Sequence, residues 1–180
     1  GLDLETVARV GRLWRLRVQS VHPELSPAGS PERCLARAVA ETDDGRYVLI
    51  ERLSPAMAPR KMAIAALLQS LAGAGMQGIN PYLATGGGHH VVPLGGDYWQ
   101  ISPYLYGAPL PRPGWVWEAW RGAALGRFLC DLRAASQRVR LPEEVPFSSR
   151  AFCSDLLARL ETHRPALAEG VGLSVAQREP

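Results

Sequence analysis

D-Y-W-Q-I-S-P-Y-L-Y-G (residues 97–107), A-P-L-P-R-P-G (108–114) and W-V-W-E-A-W-R-G-A-A-L-G-R-F-L-C-D-L-R-A-A-S (115–136) follow one another and change period twice. The first piece reads as a strand, because Tyr98, Trp99 and Ile101 favour a pleated chain and Pro103 ends the run. Around the second, Gly107, Pro109, Pro111, Pro113 and Gly114 suit neither a helix interior nor a central strand. An extended connector is expected over 107–116. The third piece sets Trp117, Trp120, Ala124, Phe128 and Leu132 at three- and four-residue steps, one apolar stripe of a helix. A β-rich half before the bend and a helical half after it follow.

Upstream, R-Y-V-L-I-E-R-L (46–53) is the strongest strand signal in the chain. The turn T-D-D-G (42–45) precedes it, and Asp44-Gly45 between β-prone runs predicts a hairpin, since glycine takes the positive φ that such a turn needs. Its partner is expected over 33–41, where the alanines would equally suit a helix, and a first strand over 17–25. Leu4, Val7, Val10, Leu13 and Trp14 predict a short amphipathic helix over 4–16 with Asp3 as its N-cap. Between 59 and 76 the period becomes helical again. Met62, Ala65, Leu68 and Ala72 form the stripe, Pro59 fits the first turn, and Gly73 and Gly75 supply the stop. Residues 78–105 read as two short strands joined by glycine turns. Far downstream, Ser148 or Ser149 caps a further helix carrying Phe152, Leu156, Leu157 and Leu160. The expected fold class is α+β, an antiparallel sheet of about five strands with one packed helix, followed by a helical subdomain. The expected division is 1–106, a connector at 107–116, and 117–180.

The 180 residues are 47% hydrophobic and 21% charged, a globular composition. Net charge is +3, and Lys61 is the only lysine. The arginines are scattered rather than striped, so no nucleic-acid surface is expected. Cys34, Cys130 and Cys153 are odd in number and lack metal-ligand spacing. They read as reduced, buried thiols of a cytoplasmic protein. No apolar stretch is long enough to cross a membrane, and no signal peptide is visible. His89 and His90, as neighbours on a strand, would point to opposite faces and flank a turn rather than share a metal. The chain opens on Gly1, without an initiator methionine, so a piece of a longer protein is expected.

T-D-D-G-R-Y-V-L-I-E-R-L, the 59–76 helix, N-P-Y-L-A-T (80–85), D-Y-W-Q-I-S-P-Y-L-Y-G and G-A-A-L-G-R-F-L-C-D-L-R-A-A-S resemble, in order and spacing, the aminoglycoside phosphotransferase and choline/homoserine kinase family. The resemblance runs from about residue 7 to 136. It implies the N-terminal lobe of a protein-kinase-like fold and the start of its helical lobe. It further implies ATP and magnesium as cofactors, and a nucleotide and a small-molecule hydroxyl as substrates. In such a lobe Ser102 falls at the back of the adenine pocket and residues 103–105 form the hinge. Adenine then donates to the carbonyl of Pro103 and accepts from the N–H of Leu105, roles that a proline and a leucine main chain can fill.

The departures carry as much information. In that family a strand lysine holds the nucleotide phosphates and pairs with a glutamate on the following helix. Here Val48, Leu49 and Ile50 match the strand, but the lysine position is Glu51, and residues 54–116 contain no glutamate. Leu49 and Glu51 share a face of the strand, so a carboxylate would face the phosphates. An inverted pair, Glu51 with Arg60 or Lys61, would keep the structural link with the charges exchanged. The expected nucleotide-contacting residues are therefore Leu49, Glu51, Ser102, Pro103 and Leu105. The His-x-Asp-x-x-x-x-Asn loop and the magnesium aspartate of the family are not found after Ser136, so no catalytic residue or metal ligand is assigned.

Two readings follow. One is part of an ATP-dependent small-molecule kinase with an altered nucleotide site. The other is a catalytically degraded relative acting as a binding or scaffold module. In either, a protein partner or further chain is expected to cover the helical region.

Overall fold

The computed structural model describes residues 2–26, 34–107, 119–139 and Ala158. The chain divides into two compact units, 1–143 and 144–180. All the elements below belong to the first. The connector at 107–116, Gly107 aside, and the helix expected after Ser148, Ala158 aside, lie outside the described residues, as do Trp117 and Cys153.

Asp3 caps helix α1 (Leu4–Leu13), its carboxylate accepting from the Thr6 N–H at 2.7 Å. The helix is shorter than the 4–16 expected from its apolar period. Arg15 takes φ 58, and Leu16 N–H returns to the Gly11 carbonyl at 2.9 Å, closing the helix as a glycine C-cap usually does. Strand β1 (Val18–Val21) follows, also shorter than expected, because Pro23 starts a single 3-10 turn, Pro23–Leu25. Strands β2 (Ala36–Thr42) and β3 (Tyr47–Leu53) form the expected hairpin, with Gly45 at φ 77. Helix α2 (Ala58–Gly73) leads through a long irregular segment to β4 (Val91–Leu94) and β5 (Asp97–Pro103). Gly95 and Gly96, at φ 66 and 85, make the two-residue turn between them, the conformation that a tight hairpin with right-handed strand twist demands. Helix α3 (Ala119–Ser136) is the last element described.

The five strands form one antiparallel sheet in the order β1-β2-β3-β5-β4. The α+β class, the five-stranded sheet and the kinase-like arrangement of lobe and helix agree with the sequence expectation. Helix α1 covers one face. Val7, Val10, Trp14 and Leu16 pack there on Ala38, Ala40, Val48, Ile50, Trp99 and Ile101, every second residue of β2, β3 and β5, as the pleat dictates. Helix α2 covers part of the other face, with Ala58 against Leu53. Its end, at Leu71, packs with Met76 and with Ala135, Phe128 and Leu132 of α3. The α3 stripe is thus used only toward its C-terminal end. Trp120 and Leu129 are 64% and 53% exposed. Cys34 is buried as expected, but Cys130 is exposed, because it lies on the open side of α3.

Candidate functional site

The register of the sheet builds the site. Glu51 on β3 lies opposite Arg37 on β2 and Gln100 on β5. One residue pair further along the same face, Leu49 lies between Val39 and Ser102. Leu49, Glu51 and Ser102 therefore meet on the face that α2 partly covers, while Val48, Ile50 and Ile101 face α1. Glu51 is 8% exposed. Its Oε1 lies 3.2 Å from Arg37 Nη2 and its Oε2 3.7 Å from Lys61 Nζ, two ion pairs, and Oε2 also accepts from Gln100 Nε2. Burying a carboxylate without partners would cost several kcal/mol; two cations and one amide donor make it tenable here. Lys61, one turn into α2, closes the inverted pair anticipated above. Arg60 does not take part.

Arg37 was missed from sequence, although the signal was present. The Asp44-Gly45 turn sets Glu41 opposite Tyr47, and counting back along both strands puts Arg37 opposite Glu51. Arg37 also donates from Nε and Nη2 to the Cys34 sulfur, at 3.2 and 2.9 Å. Two cations thus surround one carboxylate, leaving a single surplus positive charge. Beside them Tyr82 is half-buried, and burial pushes its phenol upward.

At the far end of β5 the hinge expectation meets the structure. Pro103 lies opposite Val48, and its carbonyl accepts from Asn80 Nδ2 at 2.9 Å. A carbonyl oxygen has two acceptor positions, so one is left. The Tyr104 N–H donates to the Tyr47 carbonyl at 3.0 Å. Leu105 stands apart from the rest of the set, 66% exposed and beyond the strand. Four of the five expected residues therefore lie on or at the end of adjoining strands, and the fifth follows them into solvent.

A second polar cluster was not anticipated. His22, between β1 and the 3-10 turn, has Nδ1 2.9 Å from Glu24 Oε1 and Nε2 3.2 Å from Glu41 Oε2. Ser20 Oγ lies 2.9 Å from Nε2 and 3.2 Å from Glu41 Oε2. Serine, histidine and glutamate in that sequence evoke a nucleophile triad. The second carboxylate argues otherwise. Glu41 engages both the serine hydroxyl and Nε2, so neither is left free to act as nucleophile or base. The His22 ring also leans on Tyr47, which contacts Tyr106 edge-on, and Tyr106 contacts Tyr104.

No protein-family model matches this sequence, and no curated protein does. A solved structure matches in fold: an aminoglycoside phosphotransferase from Alicyclobacillus acidocaldarius subsp. acidocaldarius DSM 446, at 16% identity and a TM-score of 0.56. The fold is similar to that of a phosphotransferase. The match covers 97% of this chain and 46% of that one, so the chain spans about half the length of its structural neighbour. At this identity the likeness concerns architecture alone. Among the described residues no cluster of His, Cys, Asp or Glu could hold a metal ion, and no helix is long and apolar enough to cross a membrane.

Proposed function

We propose that the chain forms the nucleotide-side lobe of an ATP-dependent small-molecule kinase of the aminoglycoside phosphotransferase type. Residues 1–106 would be the lobe, 107–116 the connector, and the following helices the start of the second lobe. The observation that carries this reading is the ion pair between β3 and α2. It joins the same two elements as the lysine–glutamate pair of kinases, with the charges exchanged. Lys61 then offers the cation that the strand lacks, since Arg37 already neutralises Glu51. Leu49 and Ser102 would wall the base, the remaining acceptor position on Pro103 would take its amino group, and the Leu105 N–H would donate to the ring. The described residues do not fit a magnesium site. Phosphoryl transfer to a hydroxyl would also require catalytic groups outside the described residues.

The second reading, a binding module without catalysis, is favoured by one specific feature. Glu51 and the Pro103 carbonyl are already engaged by neighbours, as in a site that has lost its ligand. Thermal unfolding with Mg-ATP separates the two. Under the first reading, nucleotide at a hundred times its Kd stabilises the fold by about 2.7 kcal/mol, a rise of several degrees in Tm, and Lys61→Met abolishes the rise. No shift at millimolar Mg-ATP, Mg-GTP or ADP would overturn the nucleotide reading and leave the module.

A further inference from the structure

We propose that His22 is a proton-operated latch: as an imidazolium it fastens the Pro23–Leu25 turn to strand β2, and it lets go of one carboxylate when it loses a proton. The inference does not depend on the phosphotransferase reading. It rests on the geometry around the ring.

Both ring nitrogens lie within hydrogen-bond distance of a carboxylate oxygen, Nδ1 at 2.9 Å from Glu24 and Nε2 at 3.2 Å from Glu41. Carboxylates accept and do not donate, so both contacts are satisfied only when both nitrogens carry a proton. A neutral ring has one N–H. Its other nitrogen would then turn a lone pair toward an anion. Ser20 cannot repair this. Its single proton serves Nε2 or Glu41, not both, although its oxygen lies 2.9 Å from one and 3.2 Å from the other. Deprotonation therefore leaves two carboxylates with one donor fewer between them.

Four elements meet at this ring. Ser20 belongs to β1, Glu24 to the 3-10 turn and Glu41 to β2. Tyr47 of β3 contacts the ring at 5.2 Å between centroids, and Tyr104 and Tyr106 extend the contact beyond β5. None of these side chains brings a positive charge to replace the imidazolium. The turn itself is held by weak bonds, Leu25 N–H to the His22 carbonyl at 3.1 Å and Ser26 N–H to the Pro23 carbonyl at 3.2 Å. Tyr104 Oη donates to the Leu25 carbonyl at 3.1 Å. The turn is thus tied at one end to the hinge and at the other to His22, so loosening the His22 end frees the Leu25 and Ser26 amides first.

The direction of the effect follows from the environment. The hydrogen bond to Glu24 raises the His22 pKa above its ordinary 6.5, desolvation opposes it, and the bond to Glu41 adds a further, smaller rise. A raised folded-state pKa gives a stabilising contribution that is complete below 6.5 and fades as pH climbs through the higher folded value.

The experiment is an NMR pH titration of the whole chain, following the His22 ring and the exchange of the Leu25 and Ser26 amides. The chain has four histidines, so His22→Gln identifies the resonance. The expected midpoint lies above 6.5, and Glu24→Gln and Glu41→Gln each lower it. Above the midpoint the two amides, corrected for the intrinsic base-catalysed rate, exchange roughly two- to five-fold faster than below it. In Glu41→Gln that step is lost. Both variants replace half-exposed or exposed carboxylates with amides of the same shape, and their Tm values report that they remain folded. A midpoint at or below 6.5, an unchanged midpoint in Glu41→Gln, or protection without a step would each overturn the latch.

Discussion

Glu51 is a carboxylate buried in the sheet. Left without partners, such a charge would cost several kcal/mol. Here Arg37, Lys61 and Gln100 absorb it. Glu51→Ala removes the one anion between two cations whose side chains are each 15% exposed, and it should cost about 3 kcal/mol of stability in chemical denaturation. Glu51→Lys should cost more, because a third cation enters the same space. Glu51→Lys with Lys61→Glu exchanges the two charges and should recover part of the loss. Recovery stays incomplete, because Arg37 then faces a lysine directly across the strands. A double-mutant cycle measures the coupling, and additive losses would show that Glu51 and Lys61 do not interact. The Leu49–Glu51 alternation was legible in the sequence from strand period, and a link from Glu51 to the helix was anticipated with Arg60 or Lys61 as alternatives, of which Lys61 is the partner. Gln100 and Asn80 were not, because their contacts depend on β5 lying beside β3, a neighbourhood that no local pattern encodes.

Among the elements, α1 shows most clearly where pattern reading stops. Its apolar period continues through Trp14, which is buried with the α1 core, so the period alone extends the helix too far. The stop lies in the backbone of Arg15, a residue that seldom adopts positive φ. Gly11 permits the close. A Cβ there would sit 2.9 Å from Val18 Cγ2 and 3.3 Å from the Leu16 carbonyl. The valine can rotate, but the Leu16 carbonyl belongs to backbone that the Leu16 N–H holds against the Gly11 carbonyl. Gly11→Ala should therefore destabilise by about 1–3 kcal/mol, read as a lower denaturation midpoint with an unchanged slope. Arg15→Gly makes the opposite test at the same corner, relieving strain on the order of 1 kcal/mol. The β2–β3 hairpin needed no such hidden help. Its turn residues announced it, and Asp44 secures it: bonds from Arg46 first and Thr42 next hold its carboxyl well below the usual carboxylate range. That contribution is present above the unfolded carboxylate value and is lost as pH falls through the lower folded one. Asp44→Asn should then remove the acid-side dependence of this hairpin, measured by amide protection of Arg46 and Tyr47 across acid pH.

At the scale of the molecule, the order of strands has a consequence for how copies of the chain behave toward one another. A sheet of five strands has two margins, and among the described residues these are β1 and β4. Each margin is spoiled. In the β4–β5 hairpin the pair Leu94–Asp97 flanks the turn, so Pro93 turns its backbone outward. Being proline, it offers no N–H to a newcomer. At the opposite margin β1 has four residues, and its register slips between Val18 and Ser20, too short and too irregular to template another strand. Pro93→Val should leave Tm nearly unchanged, since no internal hydrogen bond is altered, yet make concentrated solutions bind amyloid dyes and scatter light on standing. The two margins act as insulation: they deny a second copy the straight, fully bonded strand on which a fibre would grow.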